Sequence, residues 1–264
     1  MKTLEEKLEK VKDLRPIDDV FFEVLAQNKN VCQEILRTIL EDDALIVEDV
    51  VTQSSERNLY GRSVRLDALC TLKNGTRCNI EVQRADNDDH LRRARFNAAS
   101  ITVKESNPGE KFEDVIELYI VYISEFDFFN GGRTIYHLEK RIRETGDFID
   151  DGLHEIFVNT KVKDGTDISE LMDCFVEKKV RNPKFPALSA EVSRLKETEG
   201  GAQAMCEVME KYEKQAALKA LQRERVDRIQ HMINKGCSKD FILEVGGYSE
   251  AEYTEAESQM LQMV

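Results

Sequence analysis

The chain has 264 residues, of which 41% are hydrophobic and 34% charged, with a net charge of −13. That apolar content suffices for a buried core, and no run approaches the ~18–20 uninterrupted apolar residues of a membrane span. So acidic a surface excludes a general polyanion binder, because Lys and Arg supply most of the affinity for a phosphate backbone.

Residues 1–15 show a charged helical pattern without an apolar signal core, so the chain reads as cytoplasmic, with no membrane partner. The first helix is predicted from about Leu4 to Leu14 and stops before Pro16. Val20, Phe21, Val24 and Leu25, then Val31, Ile35, Leu36, Ile39 and Leu40, continue at helical spacing with a break near Asn28 to Asn30. Ala44 to Thr52 is β-branched and strand-like. Arg62 to Leu72 and Arg77 to Arg84 read as two strands joined by Lys73-Asn74-Gly75-Thr76, a hairpin signal. Asp88-Asp89 offers an N-cap for a helix from His90 to about Glu105, and Val115 to Ile123 reads as a buried strand. Short strands are expected at Thr134 to Leu138 and Glu155 to Thr160, with a helix from Ile168 to Lys179.

Asn182 to Pro186 marks a boundary between a domain over 1–181 and a helical C-terminal extension over 182–264. The extension is predicted to be helical from about Ser189 to Lys235 with an interruption at Gly200-Gly201. Two short helices then follow Ser238 and Ser249, the second with Glu252 completing a capping box. Its apolar stripe (Met205, Val208, Met209, Tyr212, Ala216) suits self-association or a partner, and its Glu residues would repel DNA. Six cysteines (Cys32, Cys70, Cys78, Cys174, Cys206, Cys237) form no C-x-x-C pair and read as reduced apolar residues.

The informative segment is Val64-Arg65-Leu66-Asp67-Ala68 followed by Asn79-Ile80-Glu81-Val82-Gln83. Alternation places Arg65 and Asp67 on one strand face, and Glu81 and Gln83 together on one face of the other strand. A two-residue Asn-Gly turn would send Glu81 away from Asp67. A three-residue loop, Lys73-Asn74-Gly75 with Gly75 left-handed, places Asp67 opposite Glu81 and also matches Leu66 with Val82 and Ala68 with Ile80. The second register satisfies both faces and is preferred. Opposed carboxylates repel, and a hard divalent cation between them reverses that sign. Spacing alone leaves a solvent-exposed acidic pair as the alternative.

This arrangement, preceded by helices and followed by a helix and a strand, resembles the PD-(D/E)XK nuclease superfamily. Together with Asp18-Asp19-Val20-Phe21-Phe22, it is most similar to the recombination-promoting nucleases, often labelled PD-(D/E)XK nuclease family transposases; the similarity covers about residues 14–180. The resemblance implies an α/β, restriction-endonuclease-like mixed β-sheet core flanked by helices, acting as a Mg²⁺- or Mn²⁺-dependent DNA endonuclease without an organic cofactor. By position, Asp67 and Glu81 would be metal ligands and Gln83 would stand where the wider superfamily has Lys. Gln can orient water or phosphate by hydrogen bonds but carries no charge. Asp18 is carried over as a further catalytic acid, with an N-cap as its alternative.

The net charge of Arg57 to Lys104 is positive, with ten basic and five acidic residues. Within it Arg65, Arg92 and Arg95 are candidate DNA phosphate contacts, although Arg92 and Arg95, with Arg93 beside them, equally fit a solvated helix face. His90 reads as a surface residue, and Tyr119 and Tyr122 as packing. Cutting both strands would call for two sites and hence a homodimer. The competing reading is a non-catalytic interaction protein that keeps a nuclease-like fold.

Overall fold

The structure, a computed structural model, describes residues 4–57, 63–86 and 89–261. The chain forms two compact units, Met1–Cys206 and Glu207–Val264.

In the first unit, α1 (Leu4–Asp13), α2 (Asp19–Leu25) and α3 (Lys29–Leu40) lead into three strands, β1 (Val47–Arg57), β2 (Ser63–Leu72) and β3 (Arg77–Gln83). The helix α4 (His90–Glu105) returns the chain to β4 (Leu118–Ser124), and β5 (Ile135–Leu138) follows. A small hairpin, β6 (Lys140–Arg141) and β7 (Phe148–Ile149), precedes β8 (Leu153–Asn159), α5 (Asp167–Val176) and α6 (Pro186–Glu197). The main sheet has the order β1-β2-β3-β4-β8-β5. β3, β4 and β8 run parallel, and the other pairings are antiparallel. A parallel pair cannot be joined by a tight turn, which is why α4 lies between β3 and β4. The fold is thus the mixed sheet flanked by helices that the resemblance implies.

The helix α4 packs on β2 and β4, where Ala94, Ala98 and Ile101 meet Leu69, Ile120, Tyr122 and Phe157. α2 packs on β1, β2 and β3, while α3 contacts β1, α5 and α6. α6 is tied down by α3: the Glu34 carboxylate accepts Ala187 N–H at 3.0 Å and Leu188 N–H at 2.8 Å, an anion at a helix N-terminus. The β6–β7 hairpin lacks an apolar alternation long enough to be read from the sequence; both strands have two residues.

The last helix of this unit, α7 (Glu199–Asn234), continues into the second unit. Its separation from α6 falls at Thr198 rather than at the glycines, and the Thr198 hydroxyl donates to Arg194 O (2.7 Å) and accepts from Gly201 N–H (3.1 Å). A Cβ at Gly201 would lie 2.1 Å from Arg194 O, so the glycine allows close helix contact, where the sequence suggested a break.

The second unit gathers Val226, Ile229, Ile242, Tyr253 and Ala256 between α7, α8 (Lys239–Glu244) and α9 (Glu250–Leu261). Ser249 and Glu252 cap α9 reciprocally, with Ser249 N–H donating at 2.7 Å and Glu252 N–H at 3.3 Å. Among the described residues, no helix is long and apolar enough to cross a membrane.

Candidate active site

The site is set by the turn between β2 and β3. Gly75 has φ +89°, a conformation that glycine adopts without strain. Gly75 N–H donates to Leu72 O, and Leu72 N–H to Thr76 O, each at 2.9 Å. The pairs are Thr71 with Arg77, Cys70 with Cys78, Leu69 with Asn79 and Ala68 with Ile80, the register that a three-residue loop predicts. Pairing ends there. One step on, Val82 N–H donates to the Asp67 carboxylate (Oδ2, 3.0 Å), so a side chain takes the place of a ladder partner. β3 itself continues against β4, with Glu81 beside Tyr122 and Gln83 beside Ser124.

Both acids meet where the hairpin parts. Glu81 is 1% exposed and its Oε1 accepts from Asn79 Nδ2 at 2.9 Å. Burial pushes its carboxyl up to about 7, against the opposing pull of the Asn79 hydrogen bond and the Arg93 charge. Asp67 is half-buried. Burial and then the negative charge of Glu81 push its carboxyl well above the usual range, while Val82 N–H and Arg93 act in the other direction. The Asp19 carboxylate adds a further upward push on both.

Gln83 donates through Nε2 to Ala85 O (2.8 Å) and accepts from Arg93 at 3.4 Å. Arg93 lies on the sheet-facing stripe of α4 with His90, Ala94, Asn97, Ala98 and Ile101, five buried residues. Arg92 and Arg95 lie on the exposed side, and Arg92 pairs with Asp89. The side chain of Arg65 and all of Arg62 lie outside the described residues. Asp18 is engaged elsewhere: it accepts Arg15 N–H (2.6 Å) and pairs with Arg84 (2.8 Å). It occupies the N-cap position of α2 without making a side-chain cap bond. Its neighbour Asp19 is the acid whose charge is felt at Asp67 and Glu81.

His90 is not a surface residue. It is fully buried, with Nδ1 2.7 Å from the Tyr122 hydroxyl and rings of Phe126 and Phe128 beside it. Its Nε2 lies 3.3 Å from the Asp86 carboxylate. Sequence reasoning named Arg93 only beside Arg92 and Arg95 and Asp19 only beside Asp18, and gave Asn79 no role. Only helix phase, fixing Ala94 and Ile101 as inward, could have singled out Arg93.

Among the described residues, no cluster of three or more His, Cys, Asp or Glu side chains forms that could hold a metal. A cation here would rest on Asp67 and Glu81, with water and phosphate completing its shell, which suits Mg²⁺. The donors fit: both are hard oxygen ligands, and both are carboxyls that burial disfavours as anions until positive charge arrives.

No curated protein and no solved structure matches the chain. A sequence model of the family described as PD-(D/E)XK nuclease family transposase matches residues 16–225, a span that takes in α2, the acidic hairpin, α4 and the rest of the sheet. Nucleases of the PD-(D/E)XK kind generally use divalent metals, which agrees with the donor set at the parted hairpin. With most of its length matched and its two acids on adjacent strands of the mixed sheet, the chain belongs to the PD-(D/E)XK nuclease family transposases.

Proposed function

We propose that this protein is a divalent-metal-dependent endonuclease that hydrolyses DNA phosphodiester bonds, with Asp67 and Glu81 as metal ligands and Gln83 as the polar orienting group. The observation that carries the reading is the pair of carboxyls at the parted end of β2 and β3, Glu81 buried and Asp67 half-buried. When bound, Mg²⁺ or Mn²⁺ would supply Lewis-acid polarisation of the phosphate and a more acidic water. The net reaction adds a water oxygen to phosphorus and breaks the bond to the leaving sugar oxygen; the proton lost by the water is matched by one gained at that leaving oxygen.

The chain's own residues have separable parts in this. Asn79 fixes one Glu81 oxygen and Val82 N–H fixes one Asp67 oxygen, so the ligand pair is held before any substrate arrives. Gln83, which donates to Ala85 O and accepts from Arg93, has an amide that can also hydrogen-bond water or phosphate. Arg92 and Arg95 on the outer side of α4, together with Arg65, are read as contacts that hold the DNA backbone in register without reading sequence. Asp18 serves as a positioning acid, holding Arg84 next to Gln83. The helical segment 182–264 is read as the self-association or partner segment that would bring two sites to one duplex in a homodimer.

Nicking of supercoiled plasmid in Mg²⁺ tests the reading. Asp67→Ala and Glu81→Ala are each expected to lower the rate by about 10³-fold, the loss of several kcal/mol of charge stabilisation. Wild-type-like cleavage by both variants would remove the site assignment, and no cleavage by the wild type in Mg²⁺ or Mn²⁺ would remove the nuclease reading.

A further inference from the structure

The strand that carries Glu81 ends on Gln83, an uncharged amide, so this strand brings no cation two residues beyond the acid. We propose that Arg93, brought in from α4, is the positioning cation of this site and that Gln83 is the anchor that orients it. The inference rests on the nuclease reading above and names a residue that reading does not require.

Two observations converge on Arg93. Its guanidinium donates to Gln83 Oε1 at 3.4 Å, which joins the helix to the strand that carries Glu81. It lies on the inward stripe of α4, between buried His90 and buried Asn97, whereas Arg92 is 77% exposed at its side chain.

The helix is fixed so that this placement is maintained. Arg93 N–H donates to Asp89 O at 2.9 Å, and the Asp89 side chain caps Arg92 N–H at 3.0 Å. One turn of helix is pinned further by His90, bonded to the hydroxyl of Tyr122, and Tyr122 is the β4 residue paired with Glu81. The backbone that carries Arg93 is therefore referenced to the strand that carries the acid.

A guanidinium suits this role physically. It stays charged at any working pH and presents a planar fork of donors. One donor can rest on the Gln83 oxygen while others face a phosphate, where negative charge grows as the phosphorus is attacked. Gln83 accordingly acts as an acceptor as well as a donor, and its side chain holds the arginine in orientation instead of replacing its charge.

The test compares wild type, Arg93→Lys, Arg93→Gln, Gln83→Lys and the double variant Gln83→Lys/Arg93→Gln in Mg²⁺-dependent plasmid nicking. kcat and KM are measured separately, Mn²⁺ affinity by calorimetry and folding by thermal unfolding. Arg93→Gln is expected to lower kcat by about 100-fold with KM changed less than about threefold. Its Mn²⁺ affinity is expected to rise about tenfold, because a charge that repels the metal has gone. Arg93→Lys should keep an intermediate rate. The double variant should recover at least about tenfold over Arg93→Gln, since it returns a cation to the strand.

A merely structural arginine would weaken metal binding and rate together and would not be rescued by a lysine on β3; that outcome overturns the proposal. A wild-type kcat in Arg93→Gln, with Asp67→Ala inactive, also overturns it and leaves the nuclease reading standing. Failure of the wild type to cut removes both. Should Arg93→Gln not fold, the decision passes to Arg93→Lys and the double variant. A folded double variant or Arg93→Lys that retains at least about a tenth of the wild-type rate supports the proposal, and loss of activity in both overturns it.

Discussion

Two pairs of acids are handled in opposite ways in this sheet. Asp18 and Glu125 are clasped by Arg15 and Arg84: Arg15 meets Glu125 at 2.6 Å and Asp18 at 3.5 Å, and Arg84 meets Asp18 at 2.8 Å and Glu125 at 3.2 Å. Burial alone would raise the Glu125 carboxyl, but the two guanidinium partners outweigh it and hold it below the usual range. Among the described residues, Asp67 and Glu81 receive one side-chain amide, two backbone N–H groups and the charge of Arg93, and remain raised. The first pair is neutralised from within the fold. The second is left short of positive charge, a condition that destabilises the native state and that a cation relieves.

Substitution of Glu81 has the largest expected effect and separates the two pairs most clearly. Glu81→Gln should lower nicking by about 10³-fold and yet stabilise the metal-free protein. The folded carboxyl titrates near about 7 against an ordinary 4.5. The native state therefore binds more protons than the unfolded chain between those values, and stability falls as pH rises through that window. At pH 8 the full loss is present, about 3 kcal/mol, and the neutral amide removes it. Denaturant titration in EDTA at pH 5 and pH 8 checks this: the wild type should be weaker at pH 8, and Glu81→Gln should fall less over that range, its remaining slope coming from Asp67, which burial also raises. Adding Mg²⁺ at pH 8 should raise the wild type alone.

Arg15→Met probes the clasped pair and has the reverse dependence. Glu125 has a depressed folded pKa, so its contribution is present above its unfolded pKa and is lost as pH falls through the folded value. The variant should lose about 2 kcal/mol at pH 7, with two acids left part-buried and less well paired, and converge on the wild type in strong acid. A smaller effect is expected from Asn79→Leu, about 1 kcal/mol at pH 8 together with a slower cut, because a hydrogen bond to a buried carboxylate is removed. A stability difference from the wild type that stays the same at pH 5 and pH 8 would separate Asn79 from the Glu81 charge. The smallest is Arg92→Ala, with a stability change within about 0.5 kcal/mol. If the outer side of α4 holds DNA, the log–log salt slope of binding should fall by about 1 in this variant.

Local pattern made some of this readable and long-range partners hid the rest. The hairpin register followed from one loop length and two consistent faces, and the start of α4 from the Asp88-Asp89 cap. The choice between Arg92 and Arg93 did not, because α4 has only a weakly amphipathic sequence and its inward stripe includes polar His90 and Asn97. Asp18 and Asp19 are adjacent, and only the path of the chain from Arg15 into α2 decides that Asp18 turns to Arg84 while the charge of Asp19 acts on the other acids. His90 looks like an ordinary polar helix start; its burial depends on Tyr122, Phe126 and Phe128, which arrive from 32 or more residues away. The close approach at Gly201 likewise depends on Arg194 O across the helix junction, which glycine content alone does not reveal.

The loop Lys73-Asn74-Gly75 touches neither acid, yet it governs them by counting. Side chains alternate along a strand, so removing one residue from this turn would rotate all of β3 by half a step and carry Glu81 to the apolar side of the sheet, with Ile80 and Val82 taking its place. Residue identity there can drift as long as the left-handed position keeps a glycine, but the number of residues cannot. An insertion or deletion in a solvent-facing turn would then abolish the site while leaving every residue that composes it intact.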